Sequence, residues 1–199
     1  MKVYLIADTH FNHDKIKTYC DRPENFTETI VKRWQETVKS EDVVIHLGDV
    51  FIGPKDGWEP VRLSLPGHKI LVRGNHDRGH SNTWWVDKGG FDFSCDGMMF
   101  RNCWLSHEPA KIWPEGTVYN IHGHLHNVWD GFHPDDPKVT TADESFIKPW
   151  ETKQLMYEKT RLFAVEYTNY RPVEFDKFLS NPERYKAIGE NKIWTGLIQ

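Results

Sequence analysis

Five short apolar runs, each ending in a residue that can bind a metal or move a proton, set the pattern of this chain. Val3-Tyr4-Leu5-Ile6-Ala7 leads into Asp8-Thr9-His10, and Val43-Val44-Ile45-His46-Leu47 leads into Gly48-Asp49. Ile70-Leu71-Val72 leads into Arg73-Gly74-Asn75-His76-Asp77. Cys103-Trp104-Leu105-Ser106 ends at His107, and Val118-Tyr119-Asn120-Ile121-His122 ends at Gly123-His124-Leu125-His126. Runs of this length, rich in β-branched and aliphatic residues and closed by glycine, read as buried strands ending in tight loops. Ligands of open α/β sheets sit outside the carboxyl ends of the strands. The polar residues after each run are therefore expected at one functional edge.

Between the strands the period changes. Residues 25 to 38 place Phe26, Ile30, Trp34 and Val38 on one helical face. A shorter amphipathic stretch surrounds Trp58, Val61 and Leu65, and a third helix is expected over residues 82 to 88. Phe91 to Cys95 and Met98 to Phe100 read as a β-hairpin turning at Asp96-Gly97, which begins a second sheet that the Cys103 run continues. Leu162 to Tyr167 reads as an alternating strand, and Pro172 to Asp176 leads into a helix through Leu179. His46 and His68, in or beside strands, are expected to be buried and hydrogen-bonded. Residues 131 to 158 form a long polar segment expected to rim the pocket. The stretch from about Ile188 onward reads as a weakly anchored tail.

Composition narrows the classes. At 199 residues the chain fits a single domain with a sizeable core. A formal charge of −4 and a pI near 6.2 lack the basic excess of a protein that tracks long nucleic acid. Cys20, Cys95 and Cys103 form no C-x-x-C pair and leave one over however they are bridged, which favours reduced thiols. The first strand starts almost at residue 1, and no apolar run approaches membrane-spanning length. A cytoplasmic location is expected, without membrane partners.

Aspartate and glycine commonly end strands for turn reasons alone. Five ordered runs supplying two aspartates, an asparagine and four histidines exceed what turns require. The blocks D-x-H, G-D, G-N-H-D, a lone histidine and G-H-x-H, between Asp8 and His126, resemble the calcineurin-like metallophosphoesterase superfamily. The Asp8-Thr9-His10-Phe11 opening and the Tyr170-Arg171-Pro172-Val173 segment resemble its small, cap-less bacterial and phage-type members. The D-R-G that follows G-D in the serine/threonine phosphatase and dinucleotide tetraphosphatase branches is absent, which argues against those substrates.

The resemblance implies an α/β fold, a four-layer α/β/β/α sandwich of two mixed β-sheets flanked by helices, with a dinuclear metal site at the strand ends. It implies that Asp49 bridges two divalent transition-metal ions, with Asp8, His10 and His126 on the first and Asn75, His107 and His124 on the second. Mixed imidazole and oxygen donors suit manganese, iron, nickel, cobalt or zinc. The implied reaction is attack by metal-bound hydroxide on a phosphate ester, with His76 as general acid and Asp77 fixing its tautomer. Asn12, His13 and Arg78 are candidate substrate contacts; for Asn12 and His13 a polar loop that caps a short helix through Asn12, and for Arg78 a solvent-exposed arginine, are equal alternatives. The leading reading is a phosphodiesterase for a small nucleotide-type substrate. A phosphomonoesterase or a nuclease of the same fold remains an alternative, with nucleic acid not favoured, and a non-catalytic metal-binding scaffold is the alternative of another class.

Overall fold

Four parallel strands and one returning strand form the first sheet, in the order β4-β3-β2-β1-β9. They are β1 (Val3–Ile6), β2 (Val43–His46), β3 (His68–Val72), β4 (Phe93–Cys95) and β9 (Val173–Glu174), with β9 antiparallel to β1. The second sheet runs β5 (Met98–Phe100), β6 (Cys103–Leu105), β7 (Tyr119–His122) and β8 (Thr160–Leu162). Its β5-β6 pair is antiparallel and the others are parallel, so both sheets are mixed. The computed structural model describes residues 1–53, 57–110, 112–126 and 160–180. The expected rim segment 131 to 158 and the tail beyond Ile188 lie outside these residues.

Helices α1 (Asp14–Tyr19), α2 (Phe26–Thr37), α3 (Trp58–Ser64), α4 (Asn82–Asp87) and α5 (Phe175–Ser180) flank the sheets. Helix α2 buries Phe26, Ile30 and Trp34, and Val38 follows at its C-cap, as the 3.6-residue period requires. Leu5, Ile6, Val44, Ile45, Leu71 and Val72 are almost wholly inaccessible, which is why these parallel strands are apolar on both faces. Register then does the positioning. Ile6 pairs with His46, and His46 with Leu71, so the loops carrying Asp8, Asp49 and Asn75 leave the sheet side by side. Leu105 pairs with Ile121 and does the same for His107 and His124.

Three expectations are corrected. Phe93–Cys95 and Met98–Phe100 do not form a hairpin: β4 joins β3 in the first sheet, and β5 joins β6 in the second. Gly97 is needed instead because a Cβ there would lie 2.5 Å from the Trp104 ring. The true hairpin turns at Arg101-Asn102, both left-handed (φ 47° and 60°), the geometry of a type I′ turn. The strand expected to reach Tyr167 stops at Leu162, and Val165–Thr168 forms a 3₁₀ turn. Leu162, Phe163, Ala164 and Val165 are consecutively buried, so the expected alternation of faces is absent. His46 is buried and bonds Thr9 Oγ1 at 2.9 Å, but His68 is exposed beside Asp92. It sits at the open first position of β3, where the sheet covers little.

Candidate metal centre

The loops after β1, β2, β3, β6 and β7 meet in one crevice between the sheets. The Asp8 carboxylate accepts the backbone N–H of His124 at 2.9 and 3.1 Å, joining the two sheets directly. Asp49 Oδ1 accepts the backbone N–H of His76 at 3.0 Å. Two glycines make these approaches feasible: a Cβ on Gly74 would lie 2.1 Å from Asp49 Oδ1, and one on Gly123 would lie 2.4 Å from Asp8 Oδ2. Asp8, His10, Asp49, His124 and His126 all have positive φ (54°, 47°, 57°, 73° and 47°). Such conformations cost about 1–3 kcal/mol each outside glycine and concentrate where a site imposes them. Here they turn five side chains toward one another.

All seven candidate ligands come together, in two groups. Asp8, His10 and His126 each offer a donor atom, all within 4.8 Å of one another, and so do Asp49, His107 and His124. Asn75 Oδ1 joins the second group, 2.9 Å from His107 Nε2 and 3.1 Å from His124 Nδ1. Asp49 Oδ2 lies between the groups, 3.6 Å from His10 Nε2 and 3.4 Å from His107 Nε2. One carboxylate oxygen between two donor sets is the arrangement that two neighbouring cations need.

The side chains fit cations on their own evidence. His10 Nε2 is buried with no hydrogen-bond partner, an arrangement that is costly unless something binds there. His107 Nδ1 lies 2.8 Å from the Leu47 carbonyl, which fixes the proton there and turns the Nε2 lone pair inward. Left to the protein's own groups, the buried anions recruit protons. Burial disfavours the imidazolium of His107, but the hydrogen bond to Asp49 and the charges of Asp8 and Asp49 raise its pKa to about 9. Burial likewise opposes charge on His126, yet Asp8, Cys20 and Glu166 raise it to about 11. Burial lifts Asp8 to about 6, while burial and the neighbouring His107 lower His124 to about 4. The crevice therefore calls for positive charge, which divalent cations supply without protons.

A pH prediction follows for protein stripped of metal. His107 and His126 bind protons in the native state at a pH where the unfolded chain, with ordinary histidines near 6.5, has released them. Their contribution is fully present below pH 6.5 and is lost as pH rises, through about 9 for His107 and about 11 for His126, at roughly 1.4 kcal/mol per pH unit per group. The melting temperature of chelator-treated protein is expected to fall between pH 6.5 and 9. Metal-loaded protein should hold level over the same range, and parallel curves would contradict the account.

A family model for calcineurin-like phosphoesterases matches residues 1–186. The chain belongs to that family. An uncharacterized protein of Methanocaldococcus jannaschii is 31% identical over 198 residues, covering 94% of each chain. The gene 66 protein of Mycobacterium phage D29 is 29% identical over 161 residues, 63% of this chain and 78% of its own length. A crystal structure of a protein of unknown function from Aquifex aeolicus superposes with a TM-score of 0.62 at 24% identity, covering 90% of this chain and 98% of its own, and shares the fold. The phosphoesterase is thus a member of a family of metal-dependent hydrolases of phosphoric esters, with side chains that can hold divalent metals. Among its described residues no helix is long and apolar enough to cross a membrane.

The remaining candidates fall around this centre. The His76 side chain is 49% exposed, with Nε2 at 4.0 Å from Asp49 Oδ2 and its ring edge-on to His10. Asp77 has a different position from the one expected. Its carboxylate accepts backbone N–H groups of Asp49 (2.7 Å), Val50 (3.1 Å) and Gly74 (2.7 Å), so it braces the β2 and β3 loops instead of orienting His76. Asp77→Ala would leave these buried N–H groups unpaired. It is expected to destabilise the protein by about 3 kcal/mol and lower its melting temperature by roughly 6–12 °C, as read by calorimetry. Unchanged melting would refute the bracing role.

Asn12 caps no helix: His13 precedes α1 without a side-chain cap bond, and Asn12 Nδ2 is buried with no partner. His13 Nδ1 lies 3.3 Å from His10 Nδ1, at the edge of the first group. Arg78 is half exposed and pairs with Glu108 at 3.3 Å. Two residues that motif reading passes over also reach the centre, Arg22 and Glu166. The only sequence signal for Glu166 is a lone carboxylate at the end of the apolar stretch Leu162 to Val165.

Proposed function

We propose that this phosphoesterase is a phosphodiesterase acting on a nucleotide-type substrate. The pairing of the nearby arginines supports that choice. Arg22 is held by Glu166, Arg73 by Asp96 and Arg78 by Glu108, at 2.6, 2.7 and 3.3 Å. A phosphomonoester brings a second negative charge that a dedicated cation would need to meet, whereas a diester carries only one. Arginines already engaged by carboxylates, Arg22 in a fully buried pair, suit the diester. His80 and Trp84, half-buried and stacked on each other at 3.7 Å, place aromatic rings just beyond Asp77.

Two divalent cations in the crevice would supply Lewis acidity and a nucleophile at neutral pH. The chain's own residues do the rest. Asp49 holds the two donor groups together, and Asp77 keeps the Asp49 and Gly74 loops in place. His76, partly exposed at the mouth, delivers a proton from its ring to the departing alkoxide.

The test is one panel. Metal-depleted protein, reconstituted with each of manganese, iron, nickel, cobalt and zinc, is assayed on bis-aryl and mono-aryl phosphates, on 2′,3′- and 3′,5′-cyclic nucleotides, and on single-stranded DNA and RNA. A kcat/KM at least about tenfold higher on diesters than on monoesters is expected. Monoester preference would replace the reading with a phosphomonoesterase, and cleavage confined to the polynucleotides would replace it with a nuclease.

A further inference from the structure

Arg22 and Glu166 are 144 residues apart in sequence and form a buried ion pair, with side chains 0% and 5% exposed. Burying two charges is expensive, and a pair serving stability alone would set the guanidinium fork against both carboxylate oxygens. This pair does otherwise. Arg22 Nε and Nη2 both donate to Glu166 Oε1, at 2.9 and 2.6 Å, while Oε2 is buried with no hydrogen-bond partner. The same Oε1 lies 3.2 Å from His126 Nδ1. Arg22 Nη2 is 3.4 Å from the same Nδ1, but its two hydrogens go to the Asp8 carbonyl and to Glu166 Oε1, each at 2.6 Å. Since the carboxylate can only accept, Nδ1 carries the proton and the Nε2 lone pair is left for the Asp8 side, where Asp8 Oδ1 stands 3.9 Å away.

Arg22 also reaches the opposite wall of the same group. Its Nη2 and Nη1 donate to the backbone carbonyls of Asp8 (2.6 Å) and Thr9 (2.9 Å), in the left-handed segment that presents Asp8 and His10. One guanidinium thus ties the β1 loop to the 3₁₀ turn carrying Glu166, and Glu166 sets the ring of His126. Cys20, His126 and Glu166 also have metal-ligand spacing, but Arg22 Nη2 lies 2.6 Å from Glu166 Oε1 and 3.4 Å from His126 Nδ1, so a cation's charge is already supplied there.

We propose that Glu166, held by Arg22, is a positioning residue that fixes the tautomer and orientation of His126 and so sets the cation affinity of the Asp8/His10/His126 group alone. The proposal rests on the reading that the crevice holds two cations. Partners of this kind, placed behind a ligating histidine, commonly contribute 10- to 100-fold in metal affinity.

The experiment titrates metal-free wild type, Glu166→Gln, His126→Ala and the double variant with cobalt(II), following its absorption spectrum and the stoichiometry at equilibrium with a competing chelator. Glutamine keeps the size of the side chain but lacks the charge, and because its amide can present an N–H as readily as its oxygen to Nδ1, it no longer fixes which ring nitrogen carries the proton. Wild type should take up two cations per chain. Glu166→Gln should weaken one of them about 10- to 100-fold and leave the other within about threefold, with an altered spectrum only for the weakened site. In the His126→Ala background the Gln change should add no further loss, since its route is gone. Melting curves of the metal-free proteins, read in parallel, separate this from general loosening, which would weaken both cations together. Two cations bound by Glu166→Gln with wild-type affinity, equal weakening of both, or additive losses in the double variant would overturn the proposal. A wild type that takes up no cation would overturn the dinuclear reading and this inference with it.

Discussion

Replacing Asp49 by alanine is expected to strip the crevice of cations and lower kcat/KM on every ester by about 10³-fold or more. The magnitude follows from metal activation being worth several kcal/mol, at about 1.4 kcal/mol for each factor of ten. The reason lies in the position of one atom. Asp49 Oδ2 is 3.6 Å from His10 Nε2 and 3.4 Å from His107 Nε2, so its removal takes from both donor groups the oxygen between them. Asp49 Oδ1 also anchors the backbone N–H of His76, so the proposed proton donor loses its tether in the same substitution. The backbone N–H that binds Asp77 is retained, and the fold should survive. Metal content after dialysis, measured beside the rate, decides the matter: a variant that keeps two cations per chain would show that Asp49 is not shared.

His76→Ala should behave differently. Its side chain is about half exposed and lies beside the donor groups without belonging to either, so both cations should stay bound. The rate on esters with poor leaving groups is expected to fall roughly 10²- to 10⁴-fold, the usual contribution of a general acid. With an activated aryl leaving group, which departs without a proton, most of the loss should disappear. Equal losses on alkyl and aryl esters would remove His76 from that role. Together the two variants separate holding the site from moving the proton.

The course of the chain explains which parts of this were readable in advance. The runs ending at Asp8, Asp49, Asn75, His107 and His124 could be read because a strand buried on both faces must be apolar, and its end must be marked by residues that turn. Helix α2 could be read because its 3.6-residue period persists from Phe26 to Trp34. The Asp96-Gly97 hairpin misled for a local reason. Asp-Gly suits a type I′ turn, but it also suits a change of sheet where a glycine must clear a tryptophan ring, and the choice depends on Trp104. The run from Leu162 to Tyr167 misled for a similar reason. Continuous burial from Leu162 to Val165 satisfies a strand or a 3₁₀ turn equally, and neighbouring elements choose between them.

By itself, the sequence determined the strand ends and the kinds of side chain placed there, since hydrophobic period and turn chemistry are properties of consecutive residues. Only the tertiary structure decided the partnerships. Asp77 supports two loops because three buried N–H groups from distant segments had to be paired. Glu166 stands behind His126 because a 3₁₀ turn and Arg22 bring together residues that no local pattern connects. Desolvation and hydrogen-bond satisfaction are settled by what surrounds a group in space, and neighbours in space are not neighbours along the chain.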